Sequence, residues 1–184
     1  MSIAAEKLLT VEEYRVLPDR GYPTELVGGR IVPMNMPSTR HGFHCARIVY
    51  ILSRFLEDHP SGRIVSNDSG IVTEHGPDTV RGADVAYYSY SRLPKGPLPE
   101  GYSEQAPEIL FEVRSPRDRR AEILAKVAEF QKAGVLVVCV LDSQSNHLAV
   151  YRADEVECIL KPGDVLSFPG ILDGFSIDIA RFFE

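Results

Sequence analysis

Two acidic side chains interrupt apolar runs that otherwise resemble buried strands, and these acids are the residues best suited to chemistry. Asp84 lies in the run Gly82–Tyr88, and Glu112 lies in the run Ile109–Val113. An unpaired buried carboxylate is costly unless it takes up a proton, so neither acid suits an ordinary core. Two carboxylates on neighbouring strands would instead offer oxygen ligands to a hard divalent cation such as Mg²⁺. The pattern therefore favours a metal site at the ends of two strands.

Arg114 follows Glu112 by two residues, so the two side chains share one face of the predicted strand. Ser115-Pro116 then ends the strand, which brings both charged groups to its exit. On this spacing alone, an internal ion pair between Glu112 and Arg114 at a sheet edge is the simpler interpretation. The second acid, Asp84, makes a functional site the better interpretation.

Lys126 is the cation best placed to work beside such a site. A positive group there could polarise an attacking water or stabilise negative charge that builds on phosphorus. Lys126 lies four residues after Glu122 and three before Glu129, on one polar stripe of a predicted helix. The same spacing describes a solvent-exposed helix face with an i,i+4 ion pair, which is the commoner arrangement.

Glu25 and His41 are weaker candidates. Glu25 lies at the start of a predicted hairpin, where an exposed acid would be ordinary. His41 and His44 are spaced to share one helix face, but such a pair is weak evidence for zinc without further Cys or His partners. Contact with an anion near the helix N-terminus is a better use of His41, together with Arg40 and Arg47.

The densest basic cluster of the chain comprises Arg117, Arg119 and Arg120. These arginines could contact phosphate, or they could simply lie exposed at a helix start, where the helix dipole disfavours them. The strings G-x-x-x-x-G-K-[ST], G-x-G-x-x-G, H-E-x-x-H and G-x-S-x-G do not occur in the sequence. No motif therefore supports an ATPase, a dinucleotide-binding enzyme, a zincin or a serine hydrolase.

Length and composition predict one globular domain over residues 1–184. The net charge of -6 argues against a surface coated in basic residues for nucleic-acid binding, but it permits a local basic channel. The three cysteines are widely separated and lack a C-x-x-C spacing, which predicts reduced, partly buried thiols in a cytoplasmic protein and neither a zinc site nor a disulfide framework. We expect neither an export signal in Met1–Lys7 nor a membrane span.

Apolar periodicity, capping residues and turn signals place the elements that position these residues. A first helix opens at Thr10 with Glu13 at the capping-box position, and a long helix ends near His59. The remaining predicted segments are a hairpin over Thr24–Met34, strand pieces at Arg63–Ser66 and Gly70–Thr73, an irregular stretch over Ser91–Pro107, a helix over Arg119–Ala133, and strands at Val135–Leu141, His147–Tyr151 and Glu157–Leu160. This order predicts an α/β (α+β) fold in which helices flank a mixed β-sheet.

Short motifs follow one another along the chain: Thr10–Tyr14, Glu25–Val32, Pro37–His41, Ala83–Val85, Glu112–Pro116, Lys126, Gly134-Val135 and Leu141-Asp142. Each motif is weak evidence alone, but the ordered series resembles the Uma2-type putative restriction endonucleases, a branch of the PD-(D/E)XK nuclease superfamily. The resemblance runs from about Thr10 to Tyr151. It implies a restriction-endonuclease-like fold and cleavage of phosphodiester bonds, with DNA as the substrate and Mg²⁺ or Mn²⁺ as the cofactor.

The resemblance also implies roles by position. Asp84 and Glu112 would be the metal ligands, Lys126 the catalytic lysine, Glu25 a further residue of the catalytic site, and His41 an accessory residue that contacts substrate. Arg114 occupies the position where the superfamily usually has its lysine. A guanidinium could hold phosphate but cannot act as a base, and it could also pair with Glu112 and keep metal out.

Two functions remain open from the sequence. The first is an active Mg²⁺-dependent endonuclease, with substrate contacts from Arg114, Arg117, Arg119 and Arg120. The second is a catalytically inactive module of the same fold that binds nucleic acid or a protein partner. For the active enzyme we expect a two-fold homodimer, with the apolar segments Val135–Leu141 and Phe175–Phe183 as the surface to bury.

Overall fold

The computed structural model describes residues 7–184. The expectation about an export signal in Met1–Lys7 therefore falls almost wholly outside the described residues. The helices are α1 (Val11–Arg15), α2 (Thr39–Asp58) and α3 (Arg120–Lys132), with a 3₁₀ helix at Ile179–Phe182. The strands are β1 (Thr24–Val27), β2 (Arg30–Pro33), β3 (Gly62–Glu74), β4 (Thr79–Ser89), β5 (Ile109–Val113), β6 (Val137–Asp142), β7 (His147–Arg152), β8 (Cys158–Leu160), β9 (Val165–Phe168) and β10 (Leu172–Asp178).

Eight strands form one mixed sheet in the order β2-β1-β4-β5-β6-β7-β8, with β3 paired to β4. Strands β5 and β6 run parallel, and α3 makes the crossover between them. Val85 of β4 pairs with Ser66 of β3 and with Phe111 of β5, so β3 and β5 lie on opposite sides of β4. The predicted mixed sheet flanked by helices is confirmed.

The two long helices cover opposite faces of this sheet. On one face, Ile48 and Leu52 of α2 belong to the same buried cluster as Phe111. On the other face, Phe130 of α3 belongs to the same buried cluster as Leu110. The adjacent residues Leu110 and Phe111 thus face different layers, as the alternation of a strand requires.

The N-terminal elements form where local signals predict them. Thr10 and Glu13 form the predicted capping box at the start of α1. The hairpin between β1 and β2 turns through Gly28 and Gly29, whose φ angles are 56° and 74°. Two consecutive positive φ angles are what a type I′ turn needs, and glycine adopts them at little cost.

Strand β3 is continuous, whereas the sequence predicted two separate pieces. The pairing of β3 with β4 shifts register between Ser66 and Ser69, which marks a β-bulge. Asn67 and Asp68 in the bulge have φ angles of 71° and 52°. Asn and Asp tolerate this left-handed conformation better than other side chains do. A bulge can redirect a side chain, and here it brings Asp68 to the end of the sheet where Asp84 lies.

The C-terminal segment packs into the core, which corrects our expectation of an apolar surface for dimerisation. Strands β9 and β10 form a hairpin of their own, which the sequence analysis marked only by its turns. Phe175, Ile179 and Phe182 are buried against the face of the sheet that α2 covers. The strand segment 137–141 is buried as well. Most apolar side chains of the two predicted segments are therefore unavailable to a second copy of the chain, although Leu136 is exposed.

All three cysteines are free thiols, as expected. Cys45 is half-buried, Cys139 is buried and Cys158 is exposed. Within residues 7–184, no helix combines the length and the apolar character needed to cross a bilayer.

Phe182 provides a test of the C-terminal packing. The Phe182→Ala variant should lose about 3–5 kcal/mol of unfolding free energy, because it leaves a cavity under the sheet. Urea denaturation measures this loss. Phe43→Ala is the matched control, since the Phe43 side chain is largely exposed and its removal should change stability by less than about 1 kcal/mol. Equal stability of the two variants would contradict the packing described here.

Candidate metal centre

Asp84 and Glu112 lie opposite each other where β4 and β5 end their pairing. Val85 pairs with Phe111, Asp84 precedes Val85, and Glu112 follows Phe111, so the antiparallel register brings the two acids together. The Cβ atoms of directly opposed residues are typically about 5 Å apart. Both acids line one cleft of about 210 Å³, which Glu25, His41 and Lys126 also line. The fold thus gathers these five predicted site residues in one place.

Asp84 is almost fully buried and is held from two sides. Its Oδ2 atom accepts a 2.6 Å hydrogen bond from the backbone N–H of Val113. The same oxygen lies 3.2 Å from Nε2 of His41, near the start of α2. These contacts fix the orientation of the carboxylate at the mouth of the cleft.

His41 carries a positive charge at neutral pH. The hydrogen bond to Asp84, with a further one to Cys45, raises the pKa of His41 to about 10 although burial opposes the shift. Cys45 Sγ lies 3.5 Å from His41 Nδ1, so the ring bridges a carboxylate and a thiol. His44 instead contacts the backbone oxygen of Phe182 at 3.1 Å, so the two histidines do not share a metal site.

Lys126 reaches the cleft from α3. Its Nζ donates to Glu112 Oε2 at 2.9 Å and to the Gly82 carbonyl at 3.1 Å, and it lies 3.5 Å from Glu25 Oε1. Burial acts to lower the pKa of Lys126, but the charges of Glu112 and Glu25 outweigh it and raise that pKa above its ordinary value. The alternative of a solvent-exposed stripe paired with Glu122 is therefore wrong.

Glu112 has one oxygen satisfied and one without a partner. Oε2 accepts from Lys126, whereas Oε1 is buried and has no hydrogen-bond partner among the described residues. Burial raises the pKa of Glu112 to about 8, even though the charge of Lys126 acts in the opposite direction. A cation bound at Oε1 would satisfy this atom and stabilise the ionised carboxylate. The donor set of two carboxylates also matches the preference of Mg²⁺ and Mn²⁺ for oxygen.

Glu25 is a buried member of this centre, not the exposed strand-end acid that the sequence also allowed. Its Oε1 accepts a 2.9 Å hydrogen bond from the Gly82 N–H, and its Oε2 accepts one of 2.9 Å from Arg81. Arg81 also binds Glu129 with two groups, Nε at 2.9 Å and Nη2 at 2.8 Å. Thr73 donates to Glu129 at 2.6 Å. This network anchors Glu25 beside Lys126.

Arg114 does not pair with Glu112, so the internal ion pair suggested by their spacing is wrong. Its Nη1 donates to Asp142 Oδ2 at 2.6 Å, and Nη2 lies 3.4 Å from the Asp118 carbonyl. Arg114 lines a neighbouring groove of about 160 Å³ that shares Glu112 and Lys126 with the cleft. Arg114 therefore leaves Glu112 free for Lys126 and for a metal.

The three arginines after Glu112 lie outside the cleft. Arg117 and Arg119 are exposed and do not line it. Arg120 points outwards and pairs with Glu157 at 2.7 Å. A substrate as large as DNA could still reach them, so their role as phosphate contacts stays a prediction.

The sequence analysis missed Asp68, Cys45 and Arg81. Asp68 lines a second cleft together with Asp84, and burial together with the charge of Asp84 raises the pKa of Asp68. Only the bulge in β3 brings this residue close, so the signal available was the polar pair Asn67-Asp68 between two strand pieces. Gly82 permits the approach, because a Cβ there would lie 3.1 Å from the Asp68 Cβ.

Comparisons with known proteins identify the family and the fold of the chain. The model of the Uma2 family, described as "Putative restriction endonuclease", matches residues 11–180. The chain belongs to the Uma2 family. Its fold is similar to the crystal structure of a putative nuclease from Anabaena variabilis, with a TM-score of 0.82 and 18% identity over 95% of this chain and 97% of that chain. A search of the curated proteins finds no match. The resemblance inferred from the motifs and the restriction-endonuclease-like fold are confirmed.

The charge on His41 predicts a pH dependence of stability. The pKa rises from 6.5 to about 10 on folding, so the imidazolium stabilises the protein fully below pH 6.5, and this stabilisation is lost as the pH approaches 10. In EDTA, the stability advantage of the wild type over His41→Gln should fall by roughly 3 kcal/mol between pH 6 and pH 9. Urea unfolding at both pH values measures this difference. An unchanged difference would show that the His41–Asp84 pair does not form.

Proposed function

We propose that the protein is a metal-dependent endonuclease that hydrolyses phosphodiester bonds in DNA. Asp84 and Glu112 hold Mg²⁺ or Mn²⁺, and Lys126 is the catalytic lysine. The observation that carries this proposal is the buried, unpartnered Oε1 of Glu112, opposite Asp84 and beside the Lys126 ammonium. Membership of the Uma2 family supports the nuclease activity.

The metal would supply an activated water and would offset the negative charge of the phosphate. The protein contributes the carboxylates in a fixed arrangement. Asp84 is oriented by the Val113 N–H and by His41, and Glu112 is oriented by Lys126. Because these hydrogen bonds hold the two carboxylates in position before any ligand binds, little reorganisation is needed when the metal and the phosphate arrive.

Lys126 acts through its charge. Its raised pKa keeps the ammonium protonated at neutral pH, so it does not serve as a general base. An ammonium next to the reacting phosphate stabilises negative charge that develops in the transition state. Glu25 keeps the amine in the cleft through their 3.5 Å contact, and Arg81 holds Glu25 in turn.

His41 and Arg114 suit contacts with the substrate. The His41 imidazolium sits beside Asp84, and by giving up its contact with Cys45 it would bind a phosphate oxygen next to the scissile bond. Arg114 lines the adjoining groove, and its Nε is buried without a partner among the described residues. A phosphate or a base of the DNA could accept a hydrogen bond from this nitrogen. The exposed Arg117, Arg119 and Arg120 would extend this contact along the backbone.

A catalytically inactive module is the second candidate, and one observation favours it. Lys126 and His41 already neutralise Glu112 and Asp84, so the charges of the centre are partly balanced without metal. Calorimetry with Mg²⁺ or Mn²⁺ separates the two candidates. If the centre is active, it binds the ion through Asp84 and Glu112, and Asp84→Ala removes the heat of binding. If the centre is inactive, the wild type and Asp84→Ala give the same heat.

We further propose a homodimer in the cytoplasm. One metal centre per chain cuts one strand, so double-strand cleavage is most simply achieved by two copies related by a two-fold axis. The free thiols of Cys45, Cys139 and Cys158 fit a reducing compartment. Light scattering over a wide concentration range should give the mass of two chains. A monomer at all concentrations would leave nicking of a single strand as the expected activity.

Lys126→Ala should lower the rate of cleavage of supercoiled plasmid by about 100-fold or more, because the transition state loses its nearest cation. Metal binding should persist or become tighter, since a positive charge next to Glu112 has been removed. The measurements are plasmid nicking in Mn²⁺ and calorimetry with the same ion. Lys132→Ala is the matched control, because Lys132 lies on the same helix but pairs with Glu74 on the surface.

Two further variants complete the experiment. Asp84→Ala should abolish both metal binding and cleavage, which excludes a contaminating nuclease. Arg114→Ala should weaken substrate binding and reduce its salt dependence while retaining metal binding. If Lys126→Ala cuts at the wild-type rate while Arg114→Ala is inactive, then Arg114, and not Lys126, is the catalytic cation.

A further inference from the structure

Asp84 also faces a second cleft, which the proposed nuclease chemistry does not use. This cleft has a volume of about 400 Å³ and lies between α2 and the bulge of β3. His41, Cys45, Asp68 and Asp84 are among the residues that line it. The donor atoms here are nitrogen, sulfur and oxygen, in contrast to the carboxylate pair of Asp84 and Glu112.

The spacing on α2 brings a soft donor and a borderline donor together. His41 and Cys45 are four residues apart in the helix, so their side chains lie on one face. Sγ of Cys45 lies 3.5 Å from Nδ1 of His41, and Oδ2 of Asp84 lies 3.2 Å from Nε2. One donor atom from each of the three residues lies within 4.8 Å of the other two. Neighbouring ligands of a tetrahedral zinc ion have similar separations, roughly 3.5 Å.

A fourth ligand is available from the bulge. Asp68 lines the same cleft, and it lies close enough to Asp84 and His41 for their charges to shift its pKa. Its oxygens do not lie within 4.8 Å of all three other donor atoms, so its side chain would have to change rotamer to reach the ion. After that change it would complete a four-coordinate N, S, O, O set with His41, Cys45 and Asp84.

We propose that His41, Cys45, Asp84 and Asp68 bind Zn²⁺ at a site that shares Asp84 with the magnesium centre. A thiolate and an imidazole select zinc over magnesium, because Mg²⁺ strongly prefers oxygen ligands. A single ion uses only one nitrogen of the His41 ring, so binding releases the proton on that nitrogen and the proton of the Cys45 thiol, and a metal bond replaces one of the two present hydrogen bonds of the ring. Zinc would thereby withdraw Asp84 from the catalytic metal and inhibit cleavage.

The zinc site and the inhibition of cleavage by zinc rest on different assumptions. Zinc binding depends only on the four residues, whereas inhibition also rests on the proposed nuclease function. A protein that binds zinc but never cleaves DNA would refute the proposed function and leave the zinc site intact. A protein that cleaves DNA but binds no zinc through Cys45 would refute the zinc site and leave the proposed function intact.

Cobalt titration tests the site without any activity measurement. Co²⁺ is a spectroscopic substitute for Zn²⁺, and a cysteine ligand gives it an intense thiolate-to-cobalt charge-transfer absorption in the near ultraviolet. We expect this absorption in the reduced, metal-free full-length protein at one equivalent of Co²⁺, and its loss when Zn²⁺ is added. Cys45→Ser should abolish it, whereas Cys158→Ser, which removes the exposed thiol, should retain it.

Calorimetry with Zn²⁺ and urea unfolding accompany the titration. Cys45→Ser should weaken zinc binding by about tenfold or more, and Asp68→Asn should weaken it while preserving the cobalt absorption. In the presence of Mn²⁺, wild-type cleavage should be inhibited at zinc concentrations about tenfold or more below those needed for Cys45→Ser. Wild-type unfolding free energy in Cys45→Ser confirms that the variant is folded. Absence of the absorption in the wild type, or its persistence in Cys45→Ser, would overturn the zinc site.

Discussion

The burial of Glu112 at the end of β5 is the constraint on which the rest of the site depends. A carboxylate in this position is tolerated because Lys126 approaches from α3 and donates to Oε2 at 2.9 Å. Helix α3 is held there by Val127 and Phe130, which pack against the same face of the sheet. A partly buried ion pair of this kind contributes little net stability once desolvation is counted, so folding stability alone does not explain a glutamate and a lysine at these positions.

The surrounding residues hold the pair by hydrogen bonds that cross between elements. Gly82 is central, since its carbonyl accepts from Lys126 and its N–H donates to Glu25. Glycine also leaves room for Asp68, whose Cβ would lie 3.1 Å from any Cβ added at position 82. One residue of β4 thus positions an ammonium, a carboxylate and the bulge of the neighbouring strand. A larger side chain at this position would disturb all three together.

Sequence reasoning succeeded where the information is local and failed where it depends on register. The capping box is visible within Thr10–Glu13, and each of the two acids is visible inside its own short apolar run. The structure places both features as the patterns predict. The partner of Arg114 is Asp142, 28 residues away on the adjacent parallel strand. Only the pairing of β5 with β6 brings these two residues together. The sequence alone therefore favoured Glu112 as the ion-pair partner of Arg114, which is wrong. The approach of Asp68 depends likewise on a bulge, which a pattern of alternating residues does not reveal.

The charge of the cleft bears on the order in which its ligands bind. Its lining includes five carboxylates, but the cationic side chains there are only Lys126 and His41. A phosphodiester would be repelled by this excess of negative charge unless a divalent cation were bound or protons were retained. Burial raises the pKa of Glu112 to about 8 and also raises that of Asp68, so both carboxyl groups hold a proton more readily when no cation is bound. A metal that replaces those protons would then create the local positive charge that the substrate needs. Under the proposed function, the metal would serve substrate binding as well as catalysis, and it would enter before the DNA.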